Sequence, residues 1–315
     1  MNIVLMEPLG IPEDLLERYA SRLRRQGHAF SAYPRSADPA VQLQRARDAD
    51  AVIIANTPLS GQVIEGCPHL KFIDVAFTGV DHVDLAAARR KGAAVSNASG
   101  YSTQSVAELA LCLMLSLLRN VPQVEERCRA GGVKDGLVGA ELRGKTVGVV
   151  GLGAIGLRTA ELCHAFGCRV AAYNPRRKPK PEYVEYLSLE ELLAVSDIVS
   201  LHCPLNSSTR GLIGREQLAL MKPGAFLINT ARGPVADSAA LAEALNSGRL
   251  AGAAVDVFET EPPLDPAHPL LHSKNTIVTP HVAFASQESM VLRAEIVFDN
   301  LEKWMAGNPQ NLVTG

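Results

Sequence analysis

Short apolar runs alternate with amphipathic, helix-like segments along most of this chain. In the first hundred residues or so the apolar runs are continuous, which is typical of strands buried on both faces of a parallel sheet. The pattern predicts strands at residues 3–6, 29–33, 51–55, 72–76 and 93–96, with helices at 12–25, 39–47, 61–65 and 85–91. Strands that alternate with helices in this way indicate a doubly wound α/β domain.

The second part of the chain repeats this alternation after a long apolar helix. That helix is predicted to begin near Thr103 and to end near Asn120-Val121-Pro122, and a glycine-rich stretch follows it. Further strands are predicted at 146–150, 169–173, 198–202, 225–229, 253–257 and 276–278, with helices at 157–166, 189–195, 214–221 and 238–247. We therefore expect a second doubly wound parallel sheet. A last helix, at about 287–305, could cover this second sheet or return to the first.

The composition excludes several classes of function. The formal net charge of the 315 residues is −2 and the charges form no block of one sign, so neither nucleic acid nor a membrane surface is an expected partner. The cysteines are scattered without a C-x-x-C pair, which is typical of reduced thiols in a cytoplasmic protein. The chain begins with a predicted strand, so we expect no signal peptide.

The apolar stretch from Val106 to Leu118 has a separate implication. It is too short to cross a bilayer, and it contains Glu108. Its apolar residues surround most of the helix, and we expect that one domain alone would bury them with difficulty. The sequence therefore predicts a homodimer in which a second copy covers this helix.

A Gly-x-Gly-x-x-Gly motif follows the predicted strand at 146–150 and opens a predicted helix. Gly151 permits the tight turn, Gly153 lets the backbone approach a pyrophosphate, and Gly156 lets the helix pack against the strand. The unpaired amides at the helix start, at Ala154 and Ile155, can then bind phosphate oxygens. A plain glycine turn is the alternative, but the strand before the motif and the helix after it favour a dinucleotide, NAD or NADP.

Three residues with suitable chemistry follow predicted strands of the second sheet, at the edge where open α/β sheets bind ligands. Arg232 carries a guanidinium that suits a carboxylate, His281 carries an imidazole suited to proton transfer, and Glu261 precedes a stiff Pro-Pro pair. Each also has an ordinary structural interpretation: a surface ion pair, a packed histidine and a solvated loop carboxylate. His202, beside Pro204, is expected near a cofactor rather than in catalysis. No histidine pair has the spacing of metal ligands.

Four motifs in this order resemble those of the D-isomer-specific 2-hydroxyacid dehydrogenase family. They are the glycine motif, Asn229-Thr230-Ala231-Arg232-Gly233, Asp256-Val257-Phe258-Glu259-Thr260-Glu261-Pro262 and Thr279-Pro280-His281. Two further segments, Thr78-Gly79-Val80-Asp81-His82-Val83-Asp84 and Val106-Ala107-Glu108, are similar to the family, so the resemblance covers nearly the whole chain. It implies a Rossmann cofactor domain at 101–281, inserted in a smaller flavodoxin-like substrate domain at 1–100 plus 282–315. It also implies a dimer interface at the helix after Tyr101.

The resemblance further implies a role for each site residue. Arg232 binds the substrate carboxylate and polarises the keto oxygen, His281 gives or takes the proton, and Glu261 hydrogen-bonds the imidazole. Backbone amides at Thr78 and Gly79 help to hold the carboxylate. The implied cofactor contacts are Thr103 near a phosphate, Asp256 at the nicotinamide carboxamide, and Pro204 and Thr230 beside the cofactor.

Two positions depart from the pattern of the family. Where NAD-specific members carry an acidic residue, this chain has Asn174, followed by Arg176 and Arg177. The change removes repulsion toward a 2′-phosphate and supplies positive charge for it, so NADP is favoured over NAD, with a solvated basic loop as the alternative. Ala283-Phe284 replaces the common Gly-Ser after the histidine, which can narrow the substrate pocket.

The expected reaction is hydride transfer between a nicotinamide cofactor and a small 2-keto or (R)-2-hydroxy acid. Glyoxylate or hydroxypyruvate reduction is the first expectation, and D-lactate-type activity is the next. Phosphoglycerate dehydrogenase activity is disfavoured because Ile54-Ala55-Asn56-Thr57 lacks arginines for a substrate phosphate, and formate dehydrogenase activity because Glu261 stands where that enzyme has glutamine. The alternative from another class is a nicotinamide-sensing binding protein of the corepressor type.

Overall fold

The computed structural model describes residues 1–176, 179–260 and 263–313. Within these ranges the chain forms two compact α/β units. The terminal unit consists of Met1–Ser102 and the segment that begins at Ala285, and the central unit consists of Thr103–Phe284. Each unit is built on a parallel sheet, so the predicted fold class is confirmed.

The terminal unit contains, among the described residues, a five-stranded parallel sheet in the order β2-β1-β3-β4-β5. Its elements are β1 (Asn2–Leu5), α1 (Glu13–Arg25), β2 (Ala29–Ala32), α2 (Pro39–Ala46), β3 (Ala51–Ile54), α3 (Gly61–Gly66), β4 (Phe72–Val75), α4 (Leu85–Lys91), β5 (Ala94–Asn97) and the last helix, α11 (Gln287–Met305). All residues of β3 and β4 are buried, in keeping with their continuous apolar runs. The strand order is that of flavodoxin-like folds.

The central unit contains, in the described part of the chain, a seven-stranded parallel sheet in the order β12-β11-β10-β9-β6-β7-β8. Its elements are α5 (Thr103–Leu118), α6 (Val121–Arg129), β6 (Thr146–Val150), α7 (Ala154–Ala165), β7 (Arg169–Tyr173), β8 (Val184–Tyr186), α8 (Leu189–Val195), β9 (Ile198–Leu201), α9 (Arg215–Leu220), β10 (Phe226–Asn229), α10 (Ser238–Asn246), β11 (Gly252–Val255) and β12 (Thr276–Val278). The strand order reverses between β6 and β9, which is the position where doubly wound sheets bind ligands.

Two hydrophobic cores cover the faces of the central sheet. One contains residues of α5 and α7, and the other contains residues of α8, α9 and α10. Val149 and Val150 are neighbours on β6 but belong to different cores, because successive residues of a strand face opposite sides of the sheet. The sheet is thus buried on both faces, and its strand ends are left to carry functional groups.

Two elements were absent from the sequence prediction. Helix α6 begins at Val121, where the pattern predicted that a helix ends, because Pro122 lies in the first turn of α6, a position that tolerates proline. Strand β8 has only three residues and lies at the edge of the sheet, where a short strand with an exposed Glu185 gives no clear apolar run. The helix predicted at 157–166 begins earlier, at Ala154.

Helix α5 is buried within its own unit. Eight of its residues, from Val106 to Leu118, are buried, and several of them belong to the core that also contains α7. The expectation that one domain alone would bury this helix with difficulty is therefore wrong. Among the described residues, no single helix is long and apolar enough to cross a membrane, and α5 and α6 meet the length and composition criteria only as a pair bent by 61°.

Candidate active site

Each of the three glycines at the β6–α7 connection has a different structural role. Gly151 has a φ of +96°, which other residues rarely adopt, and its N–H donates to the Tyr173 carbonyl oxygen at 2.8 Å. A Cβ at Gly156 would lie 2.0 Å from the Gly151 carbonyl oxygen, so only glycine lets the helix come this close. A Cβ at Gly153 would meet no atom within 4 Å. The fold itself does not require glycine at Gly153, but a pyrophosphate placed there would.

The first turn of α7 is suited to an anion. Ala154 and Ile155 are its first residues, and Gly153, the N-cap residue, has no side chain that could occupy their N–H groups. The first N–H groups of a helix lack partners within the helix and carry the positive end of its dipole. The loop and the helix start therefore fit the phosphates of a dinucleotide.

Asn174 follows β7, the strand next to β6 in the sheet. Its side-chain amide donates to the Arg176 carbonyl oxygen at 2.8 Å, which turns the chain immediately after the strand. Arg176 is exposed, and Arg177 lies outside the described residues. The end of β7 thus carries an amide rather than a carboxylate, with an exposed guanidinium two residues further on.

Arg232 lies on a loop whose backbone is fixed by a buried side chain. Asn229, the last residue of β10, is 2% exposed; its Nδ2 donates to the Arg232 carbonyl oxygen at 3.0 Å, and its Oδ1 accepts the Ala231 N–H at 3.1 Å. A Cβ at Gly233 would lie 1.9 Å from the Phe258 carbonyl carbon, so the chain after the arginine also needs glycine. The half-buried Arg232 is held on both sides.

The sequence interpretation used Asn229 only as part of a motif and gave it no role. The signal that could have found it is an amide residue at the buried end of a central strand, directly before the loop that carries a candidate arginine. A buried amide must find hydrogen-bond partners, and the nearest backbone groups are those of that loop.

His281 lies on a loop that is fixed in the same way from the next strand. It adopts a left-handed φ of +55°, and its N–H donates to the Asp256 carbonyl oxygen at 2.8 Å. The fully buried Asp256 carboxylate accepts the N–H groups of Val282 and Ala283, each at 2.9 Å, and the hydroxyl of Thr279 at 2.5 Å. Asp256, which follows β11, therefore holds the backbone on both sides of the histidine.

The pKa of the Asp256 carboxyl group is raised overall, because burial outweighs the effects that oppose it. Burial raises the pKa of its carboxyl group, whereas the hydrogen bonds from Thr279, Val282 and Ala283 and the nearby His281 act to lower it. The side chain of Phe284 meets the His281 ring edge to face, with centroids 5.5 Å apart and an interplanar angle of 90°. The residue that replaces the common serine thus packs against the imidazole.

The remaining candidates in the central unit have different surroundings. Burial lowers the pKa of His202 to about 4, so its imidazole, 2.8 Å from the Ser200 hydroxyl, is neutral at neutral pH. The residue at position 261, Glu261, lies outside the described residues. Pro204 is exposed and accepts the Thr209 hydroxyl through its carbonyl oxygen at 2.6 Å.

Two other predicted contacts lie at element ends. Thr103 is half-buried and is the first residue of α5. Thr230 follows β10 directly, is buried, and has a hydroxyl oxygen with no hydrogen-bond partner among the described residues. No cluster of metal-ligating side chains occurs within the ranges that the structure describes.

Thr78 and Gly79 lie on the loop that follows β4 in the terminal unit. Thr78 is exposed, Gly79 is half-buried, and the Thr78 carbonyl oxygen accepts the side-chain amide of Asn97 at 2.7 Å. The preceding carbonyl oxygen, of Phe77, accepts the Ala98 N–H at 3.1 Å. The loop is thus bonded to the end of the neighbouring strand β5 through successive carbonyl groups.

The carboxyl ends of the strands in the central sheet therefore carry the glycine loop, Asn174, Arg232 and His281. A sequence profile described as "D-isomer specific 2-hydroxyacid dehydrogenase, NAD binding domain" matches residues 111–283. The chain belongs to this family. It is an oxidoreductase that transfers a hydride between a nicotinamide cofactor and a 2-hydroxy or 2-keto acid.

Named relatives cover most of the chain. It is 40% identical over 284 residues to a glyoxylate reductase of Aeropyrum pernix, and the match covers 86% of this chain and 84% of the relative. It is 37% identical over 282 residues to a hydroxypyruvate reductase of Blautia hydrogenotrophica, with 86% and 87% covered. Among solved structures, an acyclic imino acid reductase in complex with NADPH and D-Arg has a TM-score of 0.92 and 28% identity, and the match covers all of both chains.

Proposed function

We propose that this enzyme reduces glyoxylate or hydroxypyruvate to the corresponding 2-hydroxy acid. The observation that carries the proposal is that Arg232 and His281 lie on two loops of one sheet edge, each fixed by a buried side chain, Asn229 or Asp256. Reduction of a 2-keto acid requires a group that binds the substrate carboxylate and a proton donor, both held in fixed positions. The names of the two relatives support these substrates.

When bound, the nicotinamide would supply the hydride for the keto carbon. In our proposal Arg232 binds the substrate carboxylate through its two-pronged guanidinium and polarises the keto oxygen. His281 donates the proton to that oxygen, and Glu261 hydrogen-bonds the imidazole. The backbone amides of Thr78 and Gly79 hold the carboxylate.

The same proposal assigns the cofactor contacts. Gly151, Gly153, Gly156 and the first turn of α7 hold the pyrophosphate, with Thr103 near one phosphate and Pro204 and Thr230 beside the dinucleotide. Asp256 is assigned to the nicotinamide carboxamide, since its Oδ2 accepts only the Ala283 N–H among the described residues. An acceptor oxygen has room for a second donor.

We infer that NADP is preferred to NAD. Asn174 brings no negative charge to the end of β7, and its side-chain amide donates to the carbonyl oxygen of Arg176, the first residue of the basic pair. A guanidinium there can pair with a 2′-phosphate, and a charge-assisted contact is worth about 1.5 to 3 kcal/mol, or roughly ten- to a hundred-fold in affinity. In the double variant Arg176→Ala/Arg177→Ala, kcat/KM should fall for NADPH and stay constant for NADH.

We also infer that the enzyme is a homodimer, although not for the reason that the sequence suggested. Helix α6 has no buried residue, and after it Val133 and Val138 are 66% and 81% exposed. Exposed apolar residues on a segment with little packing of its own indicate an interface. A second copy of this chain is the partner that we propose for residues 121–144.

Oxidation of NADPH or NADH, followed by absorbance, tests the catalytic assignment with glyoxylate, hydroxypyruvate and pyruvate as substrates. We expect His281→Ala and Arg232→Ala each to lower kcat/KM by a factor on the order of 10² or more, the usual size of an acid/base contribution. The matched control is His272→Ala, which changes an exposed histidine and should leave kcat/KM unchanged. NADPH binding, measured by fluorescence, should persist in all three variants.

Two outcomes would contradict this assignment. Turnover like that of the wild type in His281→Ala or Arg232→Ala would remove the named residue from catalysis. Tight NADPH binding without turnover of any of the three acids would favour the nicotinamide-sensing class. A preference for pyruvate would keep the mechanism and change the substrate to the D-lactate pair.

A further inference from the structure

Two large polar side chains are buried on one face of α11 in the terminal unit. Arg293 is 3% exposed and Asn300 is 0% exposed, and they lie seven residues apart, which places them on the same side of the helix. Desolvating a guanidinium costs several kcal/mol, and an apolar side chain would fill such a position at lower cost. The contacts of both residues therefore call for an explanation beyond packing.

Arg293 contacts the loops that follow β1 and β4. Its Nη2 donates to the Leu9 carbonyl oxygen, and its guanidinium carbon lies 5.3 Å from the centroid of the Phe77 ring and 5.8 Å from that of Tyr101. The Phe77 and Tyr101 rings themselves meet at 6.1 Å with an interplanar angle of 66°. Phe77 directly precedes Thr78, and we call residues 77–79 the substrate loop. The Arg293 guanidinium therefore packs against the first residue of this loop, Phe77.

Glu7 is an acidic residue in this region that is 4% exposed and interacts electrostatically with Arg293, and its Oε2 also lies 3.8 Å from Arg35 Nε. Its Oε1 accepts the N–H groups of Ala55 and Thr57, both at 2.8 Å. Glu7 thus bonds to the chain after β3, while Arg293 bonds to the chain after β1 and packs below the chain after β4. The two buried charges join the ends of three neighbouring strands.

Asn300 reaches the same loop through a chain of hydrogen bonds. Its Nδ2 donates to Asp74 Oδ1 at 3.1 Å and to the Asn97 carbonyl oxygen at 3.0 Å. The Asn97 side chain in turn donates to the Thr78 carbonyl oxygen at 2.7 Å. The Asn300 Oδ1 accepts the side-chain amide of Asn311 at 2.8 Å, so the amide is bonded at both ends.

We propose that α11 is the positioning element of the substrate loop. Arg293 fixes Phe77 by packing against its ring, and Asn300 fixes Thr78 through Asn97. Together they set the direction of the Thr78 and Gly79 amides. The inference rests on the proposed function, which assigns those amides to the substrate carboxylate. Arg293, Asn300 and Asn97 are positioning residues, since they act through the loop and not on the substrate.

The proposal separates substrate binding from cofactor binding. The residues assigned to the cofactor belong to the central unit, whereas Arg293, Asn97 and Tyr101 belong to the terminal unit. Loosening the substrate loop should therefore raise the KM for the 2-keto acid and leave the affinity for NADPH unchanged. A general loss of folded protein would instead lower the amount of active enzyme without changing either KM.

The test uses Arg293→Met, Asn97→Ala and Tyr101→Phe in the full-length enzyme. Arg293→Met removes the charge at similar volume, and Asn97→Ala removes the bond to Thr78. Tyr101→Phe keeps the ring beside Phe77 while removing the hydroxyl, which hydrogen-bonds the Arg293 guanidinium. The matched control is Glu302→Gln, on the same helix, which weakens an ion pair with Arg22 away from the loop. If Arg293→Met does not fold, the other two variants carry the test.

We expect the KM for hydroxypyruvate to rise roughly ten- to a hundred-fold in Asn97→Ala and Arg293→Met, the size of one or two lost hydrogen bonds to a charged group. The rise in Tyr101→Phe should be smaller, and Glu302→Gln should match the wild type. The dissociation constant of NADPH should stay within about two-fold of the wild-type value in all four variants. Loss of even one neutral hydrogen bond to the cofactor would change it by more than about two-fold.

A second measurement does not depend on turnover: the binding of oxamate to the NADPH-loaded enzyme. Oxamate is an analogue of a 2-keto acid that keeps the carboxylate and is not turned over. We expect the variants to bind oxamate more weakly by the same factor. Equal oxamate affinity in wild type and variants, or no oxamate binding by the wild type, overturns the inference. Oxamate binding without turnover of any 2-keto acid overturns the proposed function and leaves the inference standing.

Discussion

His281 and Asp256 are joined at the backbone: the His281 N–H donates to the Asp256 carbonyl oxygen at 2.8 Å. The Asp256 carboxylate then holds the two residues that follow the histidine. The left-handed φ of His281, +55°, costs energy for a residue with a side chain, and it persists only where the surroundings fix it. Asp256 is the residue that supplies this constraint.

Asp256→Asn should lower kcat through the position of His281. An amide in place of the carboxylate weakens the bonds to Val282 and Ala283, since hydrogen bonds to a charged group are worth about 1.5 to 3 kcal/mol each. We expect kcat to fall by roughly ten- to a hundred-fold, measured by steady-state kinetics. Thr279→Ser, which keeps the hydroxyl, is the control. An unchanged kcat in the asparagine variant would show that the carboxylate does not position the loop.

Gly153→Ala and Gly156→Ala should separate cofactor binding from stability. At Gly153 a methyl group meets no protein atom within 4 Å, so the variant should keep its melting temperature and lose NADPH affinity, because the methyl occupies the approach of the pyrophosphate. At Gly156 the methyl would lie 2.0 Å from the Gly151 oxygen, so the variant should be destabilised by several kcal/mol. Thermal unfolding and NADPH titration measure the two effects. Normal NADPH affinity in Gly153→Ala would argue against the phosphate site.

Asp74 should make the stability of the enzyme depend on pH. Burial in β4 raises the pKa of its carboxyl group well above the usual range, and the hydrogen bond from Asn300 opposes this. The folded protein therefore keeps a proton that the unfolded chain releases above about pH 4. Between the two pKa values the free energy of unfolding falls as the pH rises, by up to about 1.4 kcal/mol per pH unit.

Asp74→Asn removes this titration while keeping the shape of the side chain. We expect the free energy of unfolding of the variant, relative to the wild type, to increase as the pH rises from 4. Urea unfolding at a series of pH values measures the difference, with the exposed Asp14→Asn as the control. A difference that does not change with pH would mean that Asp74 titrates alike in the folded and unfolded states.

The exposed segment after α6 should decide the oligomeric state. If it packs on a second copy, Val133→Asp/Val138→Asp places charges in an apolar interface and should give a monomer. Light scattering at micromolar concentration measures the mass, with the wild type expected as a dimer. Val195→Asp, at an exposed valine on α8, should stay dimeric. A monomeric wild type would remove the basis for this assembly.

The sequence by itself determined the fold class and the kind of cofactor, because both depend on local patterns. Continuous apolar runs predicted strands buried on both faces, and β3, β4 and β6 are buried throughout. The glycine spacing predicted the turn and the close helix packing, since the need for glycine at Gly151 and Gly156 arises within a few residues of the chain. Pro122 misled the prediction because proline that ends one helix can equally begin another.

Only the tertiary structure decided which residues hold the site in place. Asn229 holds the Arg232 loop and Asp256 holds the His281 loop through bonds that exist only once the strand ends and loops meet. The same holds for Asn300, which reaches Asn97 across 203 positions of the chain. Periodicity and spacing describe neighbours in sequence, whereas a buried polar side chain takes the partners that folding brings to it, so its role cannot be predicted before those partners are known.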